Sequence, residues 1–213
     1  FPTRRSSDLT QSSLLEVMEE YQTTIDGETI QVERPFLVIA TQNPVENNYG
    51  TFPLPEAQLD RFLFKVDLGY PTLEEEKTMI QTYRTKDPLT EIKPVLTLHD
   101  VKEFQEKIKQ VHLSETVEDY LIQLVRQSLD HEDIEVGISP RGMLALMRAT
   151  QARAFIEQRE YVTPEDIKYL MPFVFEHRLI LTMEGAIKKT AKQIVADLLL
   201  QVPVPVEDGA ITK

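Results

Sequence analysis

The sequence predicts an α/β segment followed by an all-helical bundle, and three observations carry that reading. Two short apolar runs, FLVIA at residues 36–40 and FKVDL at residues 64–68, have the length and the β-branched and aromatic character of strands. A polar turn, Thr41-Gln42-Asn43-Pro44, cuts the first run off sharply. From Thr72 onward apolar residues recur at helical spacing, and Ser or Thr caps open one helix after another.

Residues 10–21, TQSSLLEVMEEY, read as a helix with Leu14, Leu15 and Met18 on one stripe and Glu16, Glu19 and Glu20 facing elsewhere. Residues 22–32 read as a hairpin, because Asp26-Gly27 between Ile25 and Glu28 suits a two-residue turn that needs φ > 0. The run 36–40 is continuous rather than alternating, so it predicts a strand buried on both faces, as in a parallel sheet. Pro44 pushes Asn43 towards extended or turn geometry, which fixes a polar group at the carboxyl end of that strand. In open α/β sheets ligands bind at that edge. A loop with Asn47, Asn48 and Gly50 leads into a helix over about residues 55–62, with Pro55 near its first turn and Glu56, Asp60 and Arg61 among apolar neighbours. The alternating run 64–68 predicts a second strand, closed by Gly69-Tyr70-Pro71.

The helical part begins with Thr72 and Glu75, a capping-box spacing, and Lys86-Asp87-Pro88 ends that helix. Further starts fall near Thr97 or His99, at Ser114, at Ser139-Pro140 and at Thr163-Pro164-Glu165-Asp166. The apolar faces comprise Val101, Phe104, Ile108 and Val111; then Val117, Leu121, Leu124, Val125 and Leu129; then Met143 to Met147 with Ala154 and Phe155; then Ile167, Leu170 and Met171. Residues 186–200 predict one last helix, and residues 201–213 a flexible tail.

Composition narrows the function. The 213 residues carry a net charge of −12, with 41% hydrophobic and 27% charged residues, ordinary values apart from the acidity. That acidity argues against general nucleic-acid binding, which needs a basic face. There is no cysteine, so disulfides and thiolate metal sites are excluded, and no metal site is expected. His99, His112, His131 and His177 are dispersed without ligand spacing and are assigned solvent or local bonds. No apolar run approaches the roughly 20 residues of a membrane span, and no signal peptide is visible, so the simplest reading is a cytoplasmic protein.

The segments ATQNP, PLPEAQLDRF and GYP, in this order and spacing, resemble the second half of the AAA+ core of MoxR-family ATPases, and Gly137-Ile138-Ser139-Pro140-Arg141 is similar to that family's second sensor. The resemblance covers about residues 10–181. It implies a partial P-loop NTPase core over residues 10–70, with a pre-sensor hairpin near the pore of a ring, and a helical lid over residues 71–200. In the family, Walker B acids and an Asn-Arg pair precede the first helix; here Phe1-Pro2-Thr3-Arg4-Arg5 stands there, without an acid, and Arg5 alone falls where a family Arg would. Residues 1–9 are therefore expected to be foreign or misassembled sequence. No G-x-x-x-x-G-K-[S/T] occurs in the 213 residues.

Three residues are candidates for chemistry. Asn43, read alone, is a turn initiator or an amide able to orient water; the resemblance implies sensor 1. Arg61, read alone, is a surface ion pair with its neighbour Asp60 or a phosphate contact; the resemblance implies an arginine finger acting on the next subunit's nucleotide. Arg141 places a cation in a helix's first turn, against the dipole, at a cost of roughly a few tenths of a kcal/mol; the resemblance implies sensor 2. Glu56 and Asp60 are read as solvated or as orienting Arg61. The resemblance implies ATP and Mg2+ as cofactors, their main ligands lying outside these residues. It also implies a ring, a hexamer in the usual case, and von Willebrand factor A domain proteins as partners. The expected activity is ATP hydrolysis between subunits, used to remodel or activate a partner protein, with this stretch alone inactive. A chelatase-type motor for metal insertion and a non-catalytic helical interaction module are the alternatives.

Overall fold

The computed structural model of the chain describes residues 16–25, 27–41, 56–85 and 87–205. Residues 16–20 are helical, within the expected first helix. The hairpin forms as the turn chemistry requires: β1 (Gln22–Ile25) pairs antiparallel with β2 (Glu28–Gln31), Ile25 opposite Glu28. Gly27 has φ +83°, which glycine adopts without a Cβ penalty; Asp26 lies outside the described residues.

Neither of the two later strands forms. Residues 36–41 and 64–70 carry no strand pairing, and Leu37, Ile39 and Leu68 are 78%, 80% and 91% exposed. A parallel strand exists only through ladders to its neighbours, and the strands among the described residues pair only with each other, β1 with β2 and a second short pair. The second run instead lies along the helical part, where Lys65 N donates to the Phe173 carbonyl at 2.9 Å and Lys65 Nζ pairs with Glu176 at 2.7 Å. The helix between them, α1 (Glu56–Leu59 among the described residues), ends earlier than expected, in a tight turn, with Arg61 N and Phe62 N donating to the carbonyls of Gln58 and Leu59.

The helical part follows its caps. Thr72 and Glu75 close reciprocal hydrogen bonds ahead of α2 (Leu73–Thr85). A 3-10 turn at Pro88–Glu91 follows the break. Capping boxes at Thr97 and Thr163 open α3 (Leu98–Ile108) and α6 (Pro164–Phe175), and the hydroxyls of Ser114 and Ser139 cap α4 (Glu115–Leu129) and α5 (Pro140–Ile156). The core is built where α4, α5, α6 and α8 (Ala191–Gln201) meet, from Leu124, Leu146, Ile167, Met171, Phe175, Ile194 and Leu198, all fully buried. Each such side chain contributes roughly 1.5–3 kcal/mol over its exposed state.

Two expectations about the carboxyl end are corrected. Residues 186–200 are not one helix. α7 (Met183–Lys188) ends at Lys189, whose backbone is extended, and Thr190 starts α8 with its own capping box to Gln193. The local cap outcompetes a continuous helix. Ile187 and Leu200 are consequently exposed, as are Leu129 and Leu144 on the earlier faces. Gln201 closes α8 and Val202, assigned to the tail, is buried. The sequence also gave no sign of a short antiparallel pair, β3 (Ile134–Val136) with β4 (Ile180–Leu181). Three and two residues carry no readable period. This pair sets the segment after α6 beside the approach to Ser139 and so positions the site.

Candidate functional site

The site lies where the end of α1 meets the start of α5 and the end of α6. An open cleft of about 230 Å³ there is lined by Met18, Tyr21, Asp60, Arg61, Leu63, Arg141, Ala145 and Arg178. Two of the three candidate residues, Arg61 and Arg141, come together in it; Asn43 lies outside the described residues.

Arg61 and Arg141 meet on one acid. Glu19, at the end of the helical stretch 16–20, places Oε1 2.8 Å from Arg61 Nη2 and 3.2 Å from Arg141 Nη2. Hydrogen bonds from Arg61 and then Arg141 hold the Glu19 carboxyl below the usual carboxylate range. Arg61 is 22% exposed and Arg141 49%. The cation in the first turn of α5 is thus answered by a carboxylate from another element.

Asp60 turns its carboxylate to two partners on other elements. Its carboxylate pairs with Arg178 Nε at 2.9 Å and accepts from Ser139 Oγ at 3.3 and 3.2 Å, while the Ser139 hydroxyl also accepts from Gly142 N as the cap of α5. Of Glu56 the backbone alone is described. Arg178 is 2% exposed, and its guanidinium also reaches the carbonyls of Asp60, Phe62, Leu63 and Val174. Burial lowers its pKa and the Asp60 charge opposes that shift.

His177 belongs here too, against its assignment to solvent or local bonds. Its Nε2 lies 3.0 Å from the Phe62 carbonyl and its Nδ1 is buried without a hydrogen-bond partner. Burial lowers its pKa, and the neighbouring Arg178 and Lys65 act in the same direction.

Sequence reasoning missed Glu19 and Arg178. Glu19 looked like one of three acids on a wet face. Arg178 did carry a signal: it interrupts the apolar run MPFVFEHRLIL, and an Arg so placed is buried only when paired.

The cleft sets three guanidinium groups against Asp60 and Glu19. Guanidinium forks bind carboxylate or phosphate oxygens bidentately and stay charged. At about 230 Å³ the cleft is smaller than the roughly 300–1,000 Å³ typical of pockets for whole small molecules. Among the described residues no group of acids and histidines is arranged to hold a metal ion, and no helix is long and apolar enough to cross a membrane.

Comparison with known proteins bears on this geometry. Residues 3–64 match the model of the ATPase family associated with various cellular activities (AAA), and residues 126–198 match the AAA lid domain. The Bacillus subtilis protein YeaC is 43% identical over 208 residues, covering 97% of this chain and 65% of that protein. Chaperone MoxR1 of Mycobacterium tuberculosis is 38% identical over 200 residues, covering 90% of this chain and 52% of its own. A crystal structure from Cytophaga hutchinsonii, described as a candidate ATPase, superposes with a TM-score of 0.85 at 36% identity, covering 93% of this chain and 63% of that one. The chain therefore spans about half to two thirds of the length of these relatives.

Proposed function

Since the chain belongs to the MoxR family of AAA+ ATPases, with part of the α/β core, a β-hairpin insert and a helical lid, we propose that it contributes the phosphate-reading half of an ATPase site formed between subunits of a ring. The observation that carries this reading is the meeting of Arg61 and Arg141 on Glu19 in one cleft. Phosphoryl transfer asks a protein mainly to position groups and to stabilise charge on the transferring oxygens. Arg61 is the finger in this scheme, stabilising charge on a neighbour's nucleotide. Arg141, at the start of α5, is sensor 2 and reports bound phosphate to the lid. Asn43 completes the set as sensor 1, orienting water. Mg2+ and the phosphate-cradling loop are supplied by residues outside this stretch, so the 213 residues alone do not hydrolyse ATP. The ring, a hexamer in this reading, uses hydrolysis to remodel or activate a partner protein, with von Willebrand factor A domain proteins as the expected partners. A cytoplasmic location follows from that role.

The test is magnesium-dependent phosphate release by the protein extended to the length of its relatives. Arg61→Ala should bind ATP yet hydrolyse it roughly 10³-fold or more slowly, and Arg61→Lys should rescue poorly because a point charge lacks the fork. Mixing Arg61→Ala subunits with subunits disabled in the Mg2+-holding acid rebuilds a complete site where a finger-intact subunit adjoins an acid-intact one. Activity should reappear. If co-assembled mixtures stay dead, Arg61 does not act in trans.

A further inference from the structure

The turn that follows α1, residues 60–63, is what aims Arg61. α1 ends at Leu59 with no basic residue in its last turn, and the turn beyond it carries backbone carbonyls that need partners where they are buried. The carbonyls of that turn, at Asp60, Phe62 and Leu63, are met from 115 to 118 residues away. Arg178 donates Nη2 to the carbonyls of Asp60 and Phe62 at 3.2 and 2.5 Å, Nη1 to that of Leu63 at 3.3 Å and to that of Val174, and Nε to the Asp60 carboxylate at 2.9 Å. All three nitrogens are engaged, and the acceptors lie on two segments.

An apolar side chain of the same volume would fill this space without the desolvation cost of a buried cation, and replacing a buried ion pair that way is often neutral or stabilising. What Arg supplies and an apolar residue does not is five donors in a fixed plane. Its passage is also prepared: a Cβ on Gly142, in the first turn of α5, would sit 2.9 Å from Arg178 Cδ. Asp60 extends the connection, because its carboxylate also accepts from the Ser139 hydroxyl that caps α5.

We infer that Arg178 is a positioning residue for Arg61: its fan of hydrogen bonds braces the turn after α1 and fixes the direction in which Arg61 is presented, and through Asp60 and Ser139 it ties that direction to α5, the helix carrying Arg141. The two phosphate-reading arginines then move as one unit, so a displacement of the helical part carries Arg61 with it. The catalytic consequence rests on the finger reading of Arg61; the mechanical one does not.

Amide hydrogen exchange on the 213-residue chain tests the mechanical claim. In Arg178→Met, exchange at Phe62 and Lys65 should accelerate at least about tenfold, while core amides of α5 and α6 stay within about twofold of the parent, since local opening and global unfolding are separable. Asp60→Asn, at a partly exposed position, should loosen the same amides and guards against misfolding of the first variant. Arg178→Lys should not restore them. Unchanged exchange at Phe62 and Lys65, or an equal loss throughout α5 and α6 in both variants, overturns the inference. In the ATPase-competent protein, Asp60→Asn should lower kcat about tenfold or more with KM for ATP within about twofold, the signature of lost transition-state positioning. If Arg61→Ala leaves turnover unchanged, the finger reading falls while the exchange result still decides the role of Arg178. If Arg61→Ala is dead but Asp60→Asn turns over normally, the positioning role is wrong.

Discussion

Arg61, in the turn after α1, and Arg141, in the first turn of α5, end on the same atom: Oε1 of Glu19 lies 2.8 Å from one guanidinium and 3.2 Å from the other. A carboxylate in that position competes with any phosphate for both forks. Glu19→Gln should therefore tighten binding of inorganic tripolyphosphate to the chain about three- to tenfold, charge-assisted bonds being roughly twice as strong as neutral ones. Titration calorimetry measures this, with the Arg61→Ala, Arg141→Ala double variant as the non-binding control. Equal affinity in Glu19→Gln and the parent would show that Glu19 does not hold the place of an anion.

Arg141 stands in the first turn of α5, where the dipole opposes a cation. Its loss should leave the helix intact. Arg141→Ala in the full-length protein should keep its circular dichroism spectrum and lose on the order of a hundred- to a thousand-fold in ATP turnover, the typical effect of removing one preorganised charge contact. Turnover at the parent rate would reduce Ser139-Pro140-Arg141 to a helix start.

Asp166 is a buried acid with two arginine partners, and it is structural. It is 2% exposed, pairs with Arg153 Nε at 3.0 Å and Arg159 Nη2 at 2.6 Å, and accepts the Thr163 backbone in the cap of α6. Burial alone would raise its pKa, but the Arg159 and Thr163 hydrogen bonds outweigh that and hold it below the usual carboxylate value. Asp166→Ala removes one partner of a buried pair, a change that costs about 3–5 kcal/mol where both charges are buried. With Arg153 and Arg159 each about a quarter exposed, the expected loss is near 3 kcal/mol. Denaturant unfolding measures it. A loss below about 1 kcal/mol, the range of exposed ion pairs, would contradict the assignment.

His177 predicts a pH dependence of stability. Its folded pKa lies below the ordinary 6.5, chiefly because burial penalises the imidazolium. The unfolded chain thus takes up a proton that the folded chain resists, and stability rises with pH wherever the unfolded state binds more protons. On acidification stability should begin to fall below about pH 6.5, ahead of any carboxylate protonation. His177→Gln should flatten that upper limb while leaving the steeper loss at lower pH, to which Asp166 contributes. Melting curves from pH 7.5 to 4.5 for both proteins decide it; parallel curves would exclude His177.

What the sequence determined by itself is what depends on a few neighbouring residues. A Ser or Thr hydroxyl caps the backbone three residues on, so Thr72, Thr97, Ser114, Ser139 and Thr163 marked their helix starts wherever the chain went next. The Asp26-Gly27 pair in the sequence likewise marked where β1 turns back to pair with β2. The apolar runs at 36–40 and 64–68 were legible as apolar but not as strands, because a strand is completed by ladder partners supplied from elsewhere. The break at Lys189 and Thr190 was missed because the helical spacing of apolar residues on either side was read straight through the largely polar stretch 188–193, which holds the Thr190–Gln193 cap. Tertiary structure alone decided the site. Arg61 and Arg141 could be singled out by residue type and motif, but their meeting on Glu19, and the reach of Arg178 to Asp60 across 118 residues, follow from how α1, α5 and α6 pack. Long-range hydrogen bonds of that kind leave no period and no spacing in the chain; they exist only once the core beneath them has set the distances.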